Sequence, residues 1–497
     1  MARIPTLAFD RGTLLLHPPP PGKAWIDYAT WDDRVERFRL PALHYRRLVE
    51  ALRAEGTRLE DRAPAFEPLP LSPALEMTPY PHQRAALAAW CAAGRLGVIV
   101  LPTGAGKTYL AQLAMQDTRQ STLIVVPTLD LMHQWYAHLV AAFPDTPVGL
   151  LGGGSHDRTA LLVATYDSAA LQADALGNRY ALLVFDECHH LPGAFTRVIA
   201  ESSLAPYRLG LTATPERSDG AHADLESLIG PEVYRTSVAA LAGTVLAPHR
   251  VVRLTVTLSR RERARYDALV ATRNRFIQAC GIRLASAAGW QAFVRASVRS
   301  RAGRRAMRAH RAARALAFGT AGKLRVLADL LAQHHPARTL IFTEDNATVY
   351  RISRAFLIPA ITHHTPVKER HEILQRFRSG AYPVVATSRV LNEGVDVPEA
   401  SIAIVLSGTG SRREYVQRLG RILRRGEGKR AVLYEVVAAA TGEEQVSARR
   451  RHGTKGEPYR QLDLLGPGLL AAESGDETVY RPNEPGQEDH RSYPPSC

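Results

Sequence analysis

The chain has 497 residues, 45% of them hydrophobic and 22% charged, a balance that excludes wholesale disorder and, at about 150 residues per domain, suggests three or four folded units. No run reaches the eighteen or so apolar residues of a membrane helix, the N-terminus lacks the apolar core of a signal peptide, and four scattered cysteines form neither a disulfide framework nor a paired metal motif; the expectation is a cytoplasmic protein. Lys plus Arg (63) outnumber Asp plus Glu (48), a net of +15 that points to a polyanionic partner.

In chain order, residues 1–63 read as a small module, with short strands at 4–9 and 13–17 around the Asp10-Arg11-Gly12 turn and helical spacing over 42–55. Prolines 64, 68, 70, 73 and 79 then mark residues 64–79 as a stiff connector. From residue 80 to 245, apolar runs at 97–101, 123–126, 161–164, 182–185 and 208–211 alternate with helical stretches, as in a doubly wound α/β domain with a buried parallel sheet. Residues 259–319 hold 15 Arg and no Lys against Glu262 and Asp267, so this mostly helical block carries nearly all the net charge. A second α/β set follows, with runs at 339–343, 360–363, 384–387, 402–406 and 431–434, giving a second domain over 246–445 that includes the basic block. The tail, 446–497, is rich in Pro, Gly and Glu and reads as largely disordered.

Pro102-Thr103-Gly104-Ala105-Gly106-Lys107-Thr108 follows a predicted strand and opens a helix, the setting of a phosphate-binding loop. Gly104 and Gly106 allow backbone N–H groups to turn onto phosphate oxygens, and the helix N-terminus adds its positive end. Lys107 would reach the β- and γ-phosphates, and Thr108 would ligate Mg²⁺. The strict spacing asks for Gly at position 101, where this chain has Leu. Asp186 and Glu187 end the 182–185 run, and open α/β sheets bind ligands at the carboxyl ends of their strands. Asp186 is thus a candidate Mg²⁺ ligand and Glu187 a candidate base; alone, the pair would equally suit a solvated corner. Cys188-His189-His190 lacks a companion pair at ligand spacing, so no zinc is expected.

These segments form an ordered series: PTGAGKT, VPTLDLMHQW (126–135), VATYDS (163–168), DECHH, LTATP (211–215), LIFT (340–343), SRVLNEGVDVP (388–398) and QRLGRILR (417–424). The series resembles a superfamily 2 helicase motor over about residues 77–440. The small N-terminal module, the QRLGRILR wording, the helical insertion and an Arg-x-Asp after LTATP are similar to the xeroderma pigmentosum group B (XPB) branch, bacterial or archaeal type. That branch usually reads Arg-Glu-Asp; this chain departs from it, with Arg217-Ser218-Asp219.

The resemblance implies two RecA-like domains in tandem, with ATP between them and Lys107, Thr108, Asp186 and Glu187 supplied by the first. Gln417, Arg421 and Arg424 come from the second, and the two arginines would act as fingers on the triphosphate. At about 100° per residue these three share one helix face, with Val416, Leu419 and Ile422 opposite, a pattern that a surface helix with spare arginines also shows. Gln83 matches the adenine-contacting glutamine or is a polar residue at a helix start. Asp396 resembles the ribose-contacting or domain-coupling residue, and Thr212 and Thr214 the link between nucleotide and nucleic acid. Strand contacts by resemblance are Thr128, Gln134, Thr165 and Arg217 in the first domain and Thr387 and Arg389 in the second. The basic block, with Arg299, Arg304 and Arg305, would grip DNA; Trp290 and Phe293 would stack on bases or pack in its core.

The implied activity is an ATP-dependent, 3′-to-5′ DNA helicase or translocase on single-stranded or forked DNA. It would serve repair at the nucleoid and have a nuclease on a separate partner chain. An RNA helicase, a restriction-type motor subunit and a non-enzymatic nucleic-acid scaffold are the alternatives. The presence of Lys107, Asp186, Glu187, Arg421 and Arg424 together separates a working motor from the scaffold.

Overall fold

A computed structural model describes residues 4–23, 25–217, 219–241, 245, 247, 249–284, 287–388, 400–408, 431–451, 459–461 and 479–480. It forms two compact units, whose described residues divide at about position 248.

The first unit opens with a five-stranded sheet, β1 (Thr6–Asp10), β2 (Thr13–His17), β3 (Thr30–Asp32), β4 (Arg37–Pro41) and β5 (Glu60–Asp61), in the order β3-β4-β2-β1-β5. Helix α1 (Tyr45–Ala54) packs Leu48 and Leu52 onto Leu7, Leu14, Leu16, Trp25 and Leu40. Leu204, from far along the chain, completes this small core.

The connector is strapped to the rest of the unit. Ala65 N–H donates to Asn178 O at 2.8 Å, Glu67 N–H to Ser121 Oγ at 3.2 Å and Leu69 N–H to Arg119 O at 3.0 Å. These donors alternate with Pro64, Pro68 and Pro70, which have no N–H to give, as on the edge strand of a sheet.

Helix α2 (Pro81–Ala92) leads into a parallel sheet of β6 (Leu96–Val100), β7 (Thr122–Val126), β8 (Val148–Gly152), β10 (Leu161–Thr165), β11 (Leu182–Asp186), β12 (Tyr207–Thr212) and β13 (Glu232–Arg235), with the antiparallel β9 (Ser155–His156) at one edge. The order is β13-β6-β12-β11-β7-β10-β8-β9. Every residue of β7, β10 and β11 is buried, which is why these strands read as unbroken apolar runs. Helices α3 (Lys107–Thr118), α4 (Leu129–Ala142), α5 (Tyr166–Leu171), α6 (Ala173–Leu176), α7 (Val198–Glu201) and α8 (Leu225–Leu228) connect them, and α9 (Val238–Leu241) follows the last strand.

The second unit begins with β14 (His249–Val256), so the basic block follows a strand of the second sheet. The block is three helices: α10 (Arg260–Ala279), started by a Ser259–Glu262 capping box, α11 (Ala287–Arg299) and α12 (Arg301–Phe318). Gly303, Ala306, Ala309, Ala313 and Ala317 form a small-residue face of α12 that is buried, while Arg304, Arg305 and Arg308 between them are exposed. A side chain at Gly303 would meet the backbone of Ala296 and Ser297 at 2.7–2.9 Å, which sets how closely these two helices approach.

Helices α13 (Ala321–His334), α14 (Asn346–Phe356) and α15 (Val367–Ser379) then alternate with β15 (Thr339–Phe342), β16 (Ala360–Ile361), β17 (Val384–Thr387), β18 (Ile402–Val405) and β19 (Ala431–Ala438). All pair in parallel, in the order β16-β17-β15-β18-β19-β14. A helix over Gly442–Arg451 and the strands β20 (Tyr459–Gln461) and β21 (Val479–Tyr480), both paired with β14, fall partly within the segment expected to be a disordered tail. Lys323 at the start of α13 is buried with Glu443, its Nζ 2.7 Å from both carboxylate oxygens. Among the described residues no helix is long and apolar enough to cross a membrane.

Candidate nucleotide site and nucleic-acid contacts

Strand order places the site. β6, β12, β11, β7 and β10 are consecutive neighbours, so the segments leaving their carboxyl ends emerge side by side. Leaving β6 is the loop 102–106; ending β12 are Thr212 and, just beyond, Thr214; ending β11 are Asp186 and Glu187. Thr128 follows β7 and Thr165 closes β10. The phosphate-type residues occupy one half of the edge and Thr128 and Thr165 the other, while Arg217, beyond β12, lies on the phosphate half.

The loop is shaped by glycine. Gly104 and Gly106 have φ of 87° and 82°, a left-handed backbone that suits residues without Cβ. A Cβ on Gly106 would lie 2.3 Å from Gln83 Nε2. Gln83 itself is buried and fully engaged: its Oε1 accepts Tyr80 N–H at 2.9 Å, and its Nε2 donates to Ala105 O at 3.4 Å and Gly106 O at 3.2 Å. His82 Nε2 also lies 2.8 Å from Ala105 O. The start of α2 therefore braces the loop from beneath. A cavity of 620 Å³ opens beside the first turn of α3, lined by Gly106, Thr108, Tyr109 and Gln112 and by Pro73, Met77 and Pro79 of the connector.

Lys107 and Glu187 form an ion pair, Nζ to Oε1 3.1 Å, with the side chains 12% and 13% exposed. Glu187 has φ 48°, an uncommon left-handed conformation for a residue with a side chain. Its Oε2 lies 3.4 Å from Thr212 Oγ1 and 3.5 Å from His189 Nδ1, and His189 Nδ1 lies 3.1 Å from Thr212 Oγ1. Thr212 Oγ1 also accepts Thr214 N–H at 3.2 Å, so the LTATP turn is tied to the acidic pair through one hydroxyl. Arg217 donates to His189 O at 2.6 Å and forks onto Asp219 at 3.0 and 2.6 Å, so its guanidinium is held by its own domain. Cys188 is packed in the hydrophobic core, and burial pushes its thiol up.

Asp186 is buried. Its Oδ2 accepts Trp135 Nε1 at 2.8 Å, its Oδ1 accepts Glu187 N–H at 3.0 Å, and its carbonyl accepts the Tyr166 hydroxyl at 3.1 Å. Burial raises the carboxyl above its ordinary value, against the pull of Lys107 and with the push of Glu187.

The residues fit a magnesium nucleotide. Thr103 Oγ1 is buried in the loop with no hydrogen-bond partner, and the first N–H groups of α3 have no acceptor within the helix. A buried carboxylate beside a threonine-bearing first turn is the hard-oxygen donor set that Mg²⁺ takes.

Thr128 and Thr165 are helix caps: their hydroxyls accept the N–H of Leu131 and Ser168, each at 3.2 Å. Gln134 is half-buried on α4, and Thr387 is buried with its hydroxyl donating to Ser388 O at 3.2 Å. Arg299, Arg304 and Arg305 are exposed. Phe293 is fully buried against Ile277 and Ala306, so it belongs to the core of the basic block; Trp290 is 39% exposed. Arg389, Asp396, Gln417, Arg421 and Arg424 lie outside the described residues. Sequence reasoning missed Trp135, Tyr166 and His189. Each sits inside a motif it quoted, but an indole or phenol in an apolar setting gives no sign of what its polar end touches.

Residues 7–63 match the xeroderma pigmentosum group B helicase damage recognition domain, 76–217 the res subunit of type III restriction enzymes, and 322–426 the helicase conserved C-terminal domain. The chain is 40% identical over 422 residues to the DNA 3′-5′ translocase XPB2 of Sulfurisphaera tokodaii, an alignment spanning 85% of this chain and 95% of that one. The chain belongs to the XPB family of superfamily 2 helicases. This XPB-family chain is also 30% identical over 395 residues to the DNA 3′-5′ helicase XPB of Mycobacterium tuberculosis, covering 76% of its own length and 65% of that longer relative. Its fold is similar to the helicase domain of Pyrococcus furiosus Hef, at a TM-score of 0.51 and 18% identity, covering 74% of this chain and 97% of the other. XPB membership agrees with the two parallel-sheet α/β domains and the small α+β module in front of them.

Proposed function

We infer that the chain is an ATP-dependent DNA helicase or translocase, coupling ATP hydrolysis to movement on or unwinding of DNA. The observation that carries this is the shared sheet edge, with Lys107, Asp186, Glu187 and Thr212 on one half and Thr128 and Thr165 on the other. The named 3′-5′ translocase and helicase relatives support DNA as the track, with 3′-to-5′ movement and a role in repair.

In this reading the loop 103–106 and Lys107 hold the phosphates, and Thr103 Oγ1 gains the partner it lacks. Gln83 holds the loop, and the cavity beside α3 takes the base end of the nucleotide. Thr108 and Asp186 would hold Mg²⁺, which when bound neutralises charge on the phosphate oxygens. Glu187 orients the attacking water and takes its proton. Lys107 leaves its bridge to Glu187 and turns to the phosphates on binding. Thr212 and Thr214 pass the state of Glu187 to the strand side.

Asp396, Gln417, Arg421 and Arg424 enter by motif alone, the two arginines as fingers on the developing phosphoryl charge. Thr128, Gln134, Thr165, Arg217, Thr387 and Arg389 would hold the sugar–phosphate backbone, and Arg299, Arg304 and Arg305 would add a salt-sensitive grip. The domains in this assignment are an accessory module (1–63), a connector (64–79), an ATP-binding domain (80–245), a second motor domain with the basic insertion (246–445) and a tail (446–497). A separate nuclease chain, a nucleoid-associated cytoplasmic location and the absence of zinc complete the proposal.

Steady-state ATP hydrolysis with Mg²⁺, alone and with single-stranded DNA, duplex DNA or RNA, tests it, with Lys107→Ala as control. Stimulation by DNA that vanishes in the variant is expected. Stimulation by RNA alone would overturn the choice of track, and absence of hydrolysis with every nucleic acid would overturn the motor.

A further inference from the structure

Asp186 receives two side-chain hydrogen bonds, and both donors come from helices that carry strand-contact candidates. Trp135 lies on α4, capped by Thr128 and bearing Gln134 as the preceding residue; its indole N–H reaches the Asp186 carboxylate at 2.8 Å. Tyr166 is the first residue of α5, directly after the cap Thr165; its hydroxyl reaches the Asp186 carbonyl at 3.1 Å. Trp135 is 1% and Tyr166 3% exposed, so neither bond competes with water. Both side chains could have filled their places as Phe or Leu if packing were their whole task.

We propose that Trp135 and Tyr166 are positioning residues, Trp135 fixing the Asp186 carboxylate for Mg²⁺ and Tyr166 the backbone that carries it, which ties Asp186 to helices α4 and α5 and so to a bound DNA strand. Three features bear on this. The Asp186 carboxylate has two oxygens; one is pinned by the Glu187 N–H at 3.0 Å and the other by the indole, which together set the rotation of the group. An outer-shell donor to a metal-binding carboxylate orients the ligand, and its loss typically weakens metal binding by about 10- to 100-fold. Finally, the path from a strand held at Thr128 to the metal carboxylate is short and rigid: about two turns of α4 and one hydrogen bond. The inference rests on the motor reading above.

The test uses the full chain and a fluorescent ADP analogue, titrated with Mg²⁺ and in EDTA, with and without single-stranded DNA. The variants are Trp135→Phe and the nearly isosteric Tyr166→Phe, each checked for an unchanged unfolding temperature. Trp135→Phe is expected to weaken nucleotide binding about 10-fold with Mg²⁺ and to leave the EDTA value unchanged. In both variants the factor by which DNA changes Mg²⁺-nucleotide affinity, and by reciprocity nucleotide changes DNA affinity, is expected to move towards one. Equal weakening with and without Mg²⁺, or a DNA effect equal to that of the unsubstituted chain in both variants, would overturn the proposal. Should Trp135→Phe unfold early, Tyr166→Phe alone decides the coupling. An unsubstituted chain that binds no nucleotide would instead sink the motor reading, an outcome distinct from competent binding that the variants leave untouched.

Discussion

Glu187→Gln should make the site bind metal-free nucleotide more tightly while it stops hydrolysing. Lys107 Nζ is 3.1 Å from Glu187 Oε1, with both groups largely buried, so a nucleotide must draw the lysine away from a charged partner. A hydrogen bond between charged groups of this kind contributes about 1.5–3 kcal/mol. Glutamine keeps the shape and an acceptor for Thr212 but surrenders the charge, so most of that competition disappears. At about 1.4 kcal/mol per factor of ten, the gain is roughly 10-fold if only the lower figure is recovered. The titration belongs in EDTA, because Glu187 also acts on the Asp186 carboxyl, and losing its charge beside a proposed Mg²⁺ ligand would alter metal binding by a second route. Hydrolysis should fall by about 10²–10⁴ through loss of the base. An unchanged or weaker dissociation constant for the metal-free ADP analogue would refute the idea that the ion pair holds Lys107 back from the phosphates.

Three further outcomes follow from the second unit. Lys323→Met removes the buried ammonium bonded to Glu443 and should destabilise that unit by up to about 3–5 kcal/mol in urea unfolding, whereas Lys323→Met with Glu443→Leu should recover much of the loss. Replacing Arg299, Arg304 and Arg305 with Ala should lower the slope of log affinity against log salt for single-stranded DNA by up to about 2, about 0.7 for each phosphate no longer neutralised; an unchanged slope would remove these arginines from the binding surface. Burial and the nearby Arg273, Arg314 and Arg311 lower His310 to about 4 from 6.5, so it is neutral in the folded basic block. The unfolded chain therefore takes up a proton first. The stability contribution is present above pH 6.5 and is lost as pH falls towards 4, and His310→Gln should flatten the thermal midpoint across that window.

Buried parallel strands were the most legible part of the chain. Leu182–Asp186 and Leu161–Thr165 are covered on both faces, so their sequences are apolar without alternation, and the predicted runs fall within them or overlap them. β13 and β14 were invisible for the opposite reason. β13 lies at a sheet edge with Glu232 and Arg235 exposed, and the run HRVVRLTV is broken by Arg250 and Arg253. The connector was legible only in part: its prolines signal stiffness, and the alternation of Ala65, Glu67 and Leu69 with them is what lets the backbone dock. At the site, Lys107, Thr108, Asp186 and Glu187 were readable because loop, strand and acidic pair must occur in a fixed order. The donors around Asp186 were not, since hydrogen bonds between residues 51 and 20 positions apart leave no periodic trace.

The left-handed backbone at Glu187 has a consequence for anyone breeding a hardier version of this enzyme. A side chain held at φ 48° costs on the order of 1 kcal/mol that glycine would not incur. Glu187→Gly, however, would also take the carboxylate away from the largely buried Lys107, a bond of about 1.5–3 kcal/mol, so the relief of strain is outweighed. Heat resistance and turnover therefore pull in the same direction at this residue, and a library screened on melting temperature alone would keep the base through its bridge to Lys107.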